Sequence, residues 1–164
     1  METARLVSRR LEGLGDGSPE LESFRAYALA FEAGYASDDW KTVDAHLTED
    51  ALWVVAGAPP PLGGVSQGRE AILRAIKESC DSFDRRFDIR DPRIVHGPTR
   101  IPGGVHFTWV VTYRRHGLPP FELHGEEWDF FRDGKLEFHR ERFTNLPEAV
   151  EYLKSHSGSL LPAR

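Results

Sequence analysis

Four side chains able to move protons, Glu127, Asp129, His139 and Glu141, stand among tryptophans and phenylalanines near the end of a 164-residue chain. Each falls in the middle of a segment read as a strand, Phe121–Arg132 or Lys135–Phe143, joined by the turn signal Asp133-Gly134. A sheet offers packed surface there, so an ionisable group either faces solvent or lines a cavity where its pKa is tuned. A carboxyl held against aromatic walls is pushed up in pKa and can give as well as take a proton near neutrality. An imidazole beside it supplies the complementary partner or orients a substrate oxygen. Such a pair suits enolisation, isomerisation, aldol cyclisation or dehydration of a small carbonyl compound. No lysine stands in an evidently apolar setting for a Schiff base, and no serine or cysteine occupies a nucleophile motif. His106, His124 and Glu126 match no zinc or facial-triad spacing, so neither metal nor cofactor is expected.

Strand pairing decides whether these groups meet. With Asp133-Gly134 as a strict two-residue turn, Phe131 faces Leu136 and Glu127 faces Arg140, a surface ion pair. With Gly134 as the bulge of a three-residue loop, Phe131 faces Lys135 and Glu127 faces His139. The second register sorts the residues better. It gathers Trp128, Phe130, Leu136 and Phe138 on one face and Glu127, Asp129, His139 and Glu141 on the other. If the acid face lines a cavity, the aromatic face calls for a cover, and a homodimer through Trp128, Phe130 and Phe138 follows. The opposite assignment makes the aromatic face the core and leaves the acids in solvent.

The elements that would position these strands read as helices followed by an antiparallel run. Ser18-Pro19-Glu20 opens a first helix whose stripe is Leu21, Phe24, Ala28, Phe31 and Tyr35. A second helix starts at Asp38 or Asp39 and buries Trp40, Val43 and Leu47. Leu52–Val55 reads as a short strand before the proline-rich loop 57–64. A third helix, from about Arg69 to Cys80, puts Ile72, Ile76 and Cys80 on one side. Pro92 breaks the next strand into Phe87–Ile89 and Arg93–Val95, as on an edge, and Gly104–His116 is the first long strand. Asn145-Leu146-Pro147-Glu148 reads as a cap into a short helix through Leu153. Residues 1–17 are a loose lead-in with a helical turn around Leu6–Leu11, 18–145 form the domain, and 146–164 a C-terminal helix and tail. Helices then antiparallel strands predict an α+β fold, three helices packed on one face of a curved sheet.

The bulk numbers narrow the partners. With 40% hydrophobic and 29% charged residues, the chain has an ordinary globular composition. A net charge of −5 with scattered basic residues argues against nucleic acid. Cys80 is the one cysteine, which excludes an internal disulfide and fits a reducing compartment. No run is long and apolar enough for a signal peptide or a membrane span, so a cytoplasmic protein is expected.

The order of elements over residues 18–145 resembles the nuclear transport factor 2-like superfamily. Tyr35–Trp40 with Leu47–Ala51 is similar to its helix pair leading into the first strand. Gly68-Arg69-Glu70-Ala71-Ile72 is similar to its "G-x-E-A-I" helix start, and Phe130–Leu136 to its "R-x-x-D-G-K-I" hairpin. The resemblance implies a cone-shaped, cystatin-like roll with the acid face inside. The last hairpin most resembles the SnoaL-like polyketide cyclases, which carry an acid seven residues before the hairpin glycine and a "His-Trp" pair after it. Glu127 and His139 occupy those positions, with Arg140 in place of the tryptophan. Limonene epoxide hydrolases place an acid two residues after that histidine, where Glu141 stands. Tyr35–Trp40 also resembles scytalone dehydratase, but Ala36 replaces the aspartate that follows the tyrosine there.

Three functions are compatible with this pattern. The first is a cofactor-independent isomerase, cyclase or lyase acting on a small apolar carbonyl or aromatic compound. In it Glu127 is the acid/base, His139 its partner and Glu141 an auxiliary acid, with walls from Phe31, Tyr35, Trp53, Trp109 and Phe143. The second is a non-catalytic binder of a hydrophobic molecule. The third is an interaction module with a filled cone. The small subunits of ring-hydroxylating dioxygenases resemble it in a spacing like that of Gly125 and Asp129. The bland alternatives are a solvated Glu127–Arg140 pair, surface positions for Asp129 and Glu141, and a histidine satisfied beneath an aromatic.

Overall fold

The computed structural model describes residues 10, 11, 13 and 17–160. The expected turn around Leu6–Leu11 lies largely outside the described residues. Helix α1 (Pro19–Ser37) begins with proline in its first turn, where no donor is needed. It ends where Asp38 enters the left-handed region at φ 59°. After it come α2 (Lys41–Asp44), β1 (Leu47–Ala56), β2 (Gly64–Gln67), α3 (Arg69–Ser82) and a 3-10 turn at Asp84–Arg86. The remainder is β3 (Ile89–Ile101), β4 (Gly104–Arg114), β5 (Phe121–Arg132), β6 (Lys135–Phe143) and α4 (Leu146–Ser155).

One sheet holds all six strands in the order β2-β1-β6-β5-β4-β3. Every neighbouring pair is antiparallel except β1 with β6. That parallel pair joins the first strand to the last, and α1 lies across the inner face against β4, β5 and β6. Three packed groups follow. Val43, Leu47, Ala51, Ile72, Ile76 and Leu136 fill the helix-side end. Phe24 and Leu21 meet Val105 and Phe107 in the middle. Phe83, Phe87, Tyr113, Phe121 and Ala149 form the far end, which α4 covers.

Several boundaries differ from the sequence expectation. The second helix is a single turn, and Leu47 begins β1 instead of ending the helix, although it is fully buried either way. Gly64–Gln67 is a strand that the sequence pattern does not indicate, starting at the last residue of the expected loop 57–64. Pro92 does not split β3, because β3 is an edge strand and a missing N–H costs nothing on its open side. The Asn145 side chain does not cap α4, although the Asn145 backbone carbonyl accepts from Ala149 N–H at 3.2 Å. The side chain accepts from His124 N–H and donates to the Glu122 carbonyl, both at 2.8 Å, tying the helix start to β5.

The last hairpin corrects both candidate registers. Asp133 and Gly134 have φ of 52° and 76°, a two-residue turn of the type that matches strand twist. Arg132 then pairs with Lys135 and Phe131 with Leu136. The extra residue is Glu137, not Gly134: beyond it Phe130 faces Phe138, Asp129 faces His139 and Glu127 faces Glu141. The bulge also moves Leu136 off the outer face, where it was expected, into the core beside Leu47.

Candidate functional site

Between the inner face of the sheet and helices α1 and α3 is a cavity of about 840 Å³. Its wall includes Glu127, His139 and Glu141 together with Phe31, Trp53, Trp109 and Phe143. Tyr35 is not on that wall. Its ring is taken up by the guanidinium groups of Arg85 and Arg90, at 5.0 and 4.7 Å. Tyr27, which the helix stripe passed over, is on the wall and buried. It stands three residues after Phe24 and four before Phe31, a spacing that places it on the same helix side.

His139 is the centre of the acid group. Only 2% of it is exposed, and its Nδ1–H donates to Asp129 Oδ1 at 2.8 Å. Glu127 Oε1 lies 3.4 Å from the same nitrogen, and Glu141 Oε2 lies 3.7 Å from Nε2. The expected Glu127–His139 neighbourhood is therefore present, but diagonally; the residue directly across the ladder is Asp129. Asp129 is fully buried, contrary to a surface position. A mid-strand aspartate two residues from Glu127 on the same face was the available signal. The Glu127–Arg140 surface pair does not form: Arg140 is on the outer face over Trp128, 5.2 Å from its ring.

Trp53 holds the imidazole from the other side. It is the parallel partner of His139 across β1 and β6, and the two rings stack with centroids 3.5 Å apart and planes at 16°. Burial alone would lower the His139 pKa, but Glu127, Asp129 and Glu141 outweigh it and carry the imidazole to about 10. It is an imidazolium at neutral pH. Burial is also the main reason the Glu127 carboxyl is held well above the ordinary range, with Asp129 and Glu141 adding and His139 opposing. Burial and the same three carboxyls raise the Tyr27 phenol. Two atoms here are buried without a hydrogen-bond partner, Asp129 Oδ2 and His139 Nε2.

Among the described residues, Glu127, Asp129 and His139 also bring three metal-type donor atoms within 4.8 Å of one another. A cation could use them only by displacing the imidazole proton. His106 and His124 do not converge on anything similar. His106 pairs with Glu126 at 2.9 Å and stacks on Trp128, and His124 lies 3.5 Å from Glu122.

Trp109 shapes the middle of the cavity. It faces Gly125 across β4 and β5, and a Cβ at Gly125 would overlap the indole. The glycine therefore lets the ring lie flat on the sheet, edge-on to Phe143 at 6.0 Å.

No family model matches the sequence, and no curated protein matches it. Solved structures do match in three dimensions. A nuclear transport factor 2-like protein from Anabaena variabilis ATCC 29413 is 18% identical, with a TM-score of 0.59 over 80% of this chain and 93% of that one. A protein assigned to the SnoaL-like polyketide cyclases, from Jannaschia sp. CCS1, is 14% identical, with a TM-score of 0.60 over 84% and 96%. TerC, co-crystallized with polyporic acid, is 18% identical, with a TM-score of 0.59 over 82% and 98%. The chain has the α+β cone fold of the nuclear transport factor 2-like proteins.

Proposed function

We propose that the cavity binds a small apolar carbonyl or aromatic compound and moves protons on it without a cofactor, as an isomerase, cyclase or lyase. The observation that carries this is a buried imidazole in contact with three carboxyls, Asp129, Glu127 and Glu141, on a cavity wall that also carries Phe31, Trp53, Trp109 and Phe143. Glu127 is the proton-transfer group, because burial, with Asp129 and Glu141 adding, raises its carboxyl well above the ordinary range and so makes it a stronger base when ionised. It takes a proton α to the carbonyl, and the electron pair of that C–H bond moves onto the oxygen. His139 then balances the enolate charge in a low-dielectric setting. Asp129 is a positioning residue that fixes the imidazolium, and Glu141, opposite Glu127, is an auxiliary acid. TerC shares the fold and was co-crystallized with polyporic acid, which supports a small organic ligand for the cone.

The test is solvent exchange of α-protons in D2O, followed by NMR over a panel of aromatic ketones led by 2-tetralone. The protein should accelerate exchange, and Glu127→Gln should lose about 100-fold of that acceleration. Full activity in Glu127→Gln, or no acceleration across the panel, overturns the assignment.

We also propose a homodimer through the outer face around Trp128, Phe130 and Phe138. Support comes from the Phe130–Phe138 stack at 5.8 Å and the Trp128 indole, half-buried beside the ion pairs of Glu126 with His106 and Arg142.

A further inference from the structure

The cavity has a second polar end. Arg90 on β3 donates from Nη1 to both oxygens of Glu32 on α1, at 2.9 and 3.0 Å, and from Nε to Asp84 at 3.2 Å. Tyr113 on β4 donates its hydroxyl to the same Asp84 oxygen at 2.5 Å. Glu32, Asp84, Arg90 and Tyr113 all line the cavity that His139 lines. The two ends are well separated: His139 pairs with Asp129 and through it with Val105, whereas Arg90 pairs with Tyr113 at the opposite end of β4. Between them the wall is Phe107, Trp109, Val111 and Leu123.

A buried ion pair that only joined α1 to β3 would use its donors on the protein. Here Arg90 Nη2 has no hydrogen-bond partner among the described residues. Nor is it one of the unpartnered polar atoms sealed from solvent. The guanidinium is also held in place by its stack on Tyr35 and its two carboxyls, so its free edge is pre-oriented. Tyr113, whose proton goes to Asp84, retains a hydroxyl oxygen that can accept. The local balance of one guanidinium against two acids disfavours an anion.

From this we infer that the Arg90–Tyr113 end is a second recognition site for a neutral oxygen, so that the cavity takes a molecule with an apolar ring body and a hydroxyl or carbonyl at each end. The inference rests on the reading that the cavity is a ligand site, and it names the ligand class.

Binding of 4-hydroxybiphenyl, 4,4′-dihydroxybiphenyl and 4′-hydroxybiphenyl-4-carboxylic acid to the full chain, read by calorimetry, separates the two ideas. The diol should bind about tenfold tighter than the mono-ol, as for one added hydrogen bond to a charged donor. The acid should bind no tighter than the mono-ol. Arg90→Lys keeps the charge facing Glu32 and Asp84 but loses the planar fork, and it should bring the ratio of diol to mono-ol affinity down to about one. Should that variant fail to fold, Tyr113→Phe serves, and a diol advantage reduced several-fold is expected. Equal binding of diol and mono-ol, or an advantage that survives in the folded variant, overturns the second site alone. Absence of binding by all three overturns it together with the ligand-site reading.

Discussion

At the scale of single residues, His139 is the group on which most depends, and its environment makes opposite demands. Being buried should neutralise it, yet three carboxyls hold it charged up to about pH 10. A folded-state pKa above the unfolded value of about 6.5 means stabilisation that is complete below pH ~6.5 and lost as pH rises through about 10. Glu127, also raised, has the same sign. The melting temperature should therefore fall by several degrees between pH 7 and pH 10, and His139→Gln should flatten that slope. Removing its principal partner is a separate test. Asp129→Ala leaves a buried cation short of a hydrogen-bond acceptor and should cost about 3–5 kcal/mol in urea unfolding, with Asp129→Asn much milder. Residue types pointed to Glu127 and His139 because acid and imidazole stand among aromatics. They did not point to Arg90, whose role depends on Glu32 and Asp84, distant in sequence and brought in by α1 and the turn before β3. Pattern reading sees neighbours along a chain; an ion pair across a cavity leaves no local periodicity.

Among the elements, the last three strands and α3 were legible because alternation and helical spacing are strong and local. Phe121–Arg132 and Lys135–Phe143 are found where the turn signals put them. Register was not legible, because a bulge adds one residue without a composition signature, and Glu137 looks like any other strand residue. The face sorting survived for Glu127, Asp129, His139 and Glu141 because they all lie beyond that bulge, and Leu136, on the turn side of it, was misplaced. Helix α4 is an element whose packing can be tested directly. Its Tyr152 stacks on Phe121 at 4.8 Å and donates to the Pro119 carbonyl at 2.8 Å. Tyr152→Ala should lower stability by about 2–3 kcal/mol, seen as a reduced urea midpoint, and raise binding of an apolar dye at the uncovered end.

For the molecule as a whole, the sheet is the organising unit, with an inner face that carries the candidate chemistry and an outer face that carries Trp128, Phe130 and Phe138. The dimer proposed through that outer face predicts that Phe130→Glu shifts the mass measured by light scattering from two chains to one. An unchanged mass would remove the proposal. No helix among the described residues is long and apolar enough to cross a membrane. The parallel contact of β1 with β6 brings Trp53 onto His139 from the other half of the chain. Closing so large a loop is entropically slow, so that ladder should be among the last contacts made during refolding. Because a protonated imidazole quenches indole emission, a late drop in tryptophan fluorescence after dilution from urea would time the birth of the acid cluster itself.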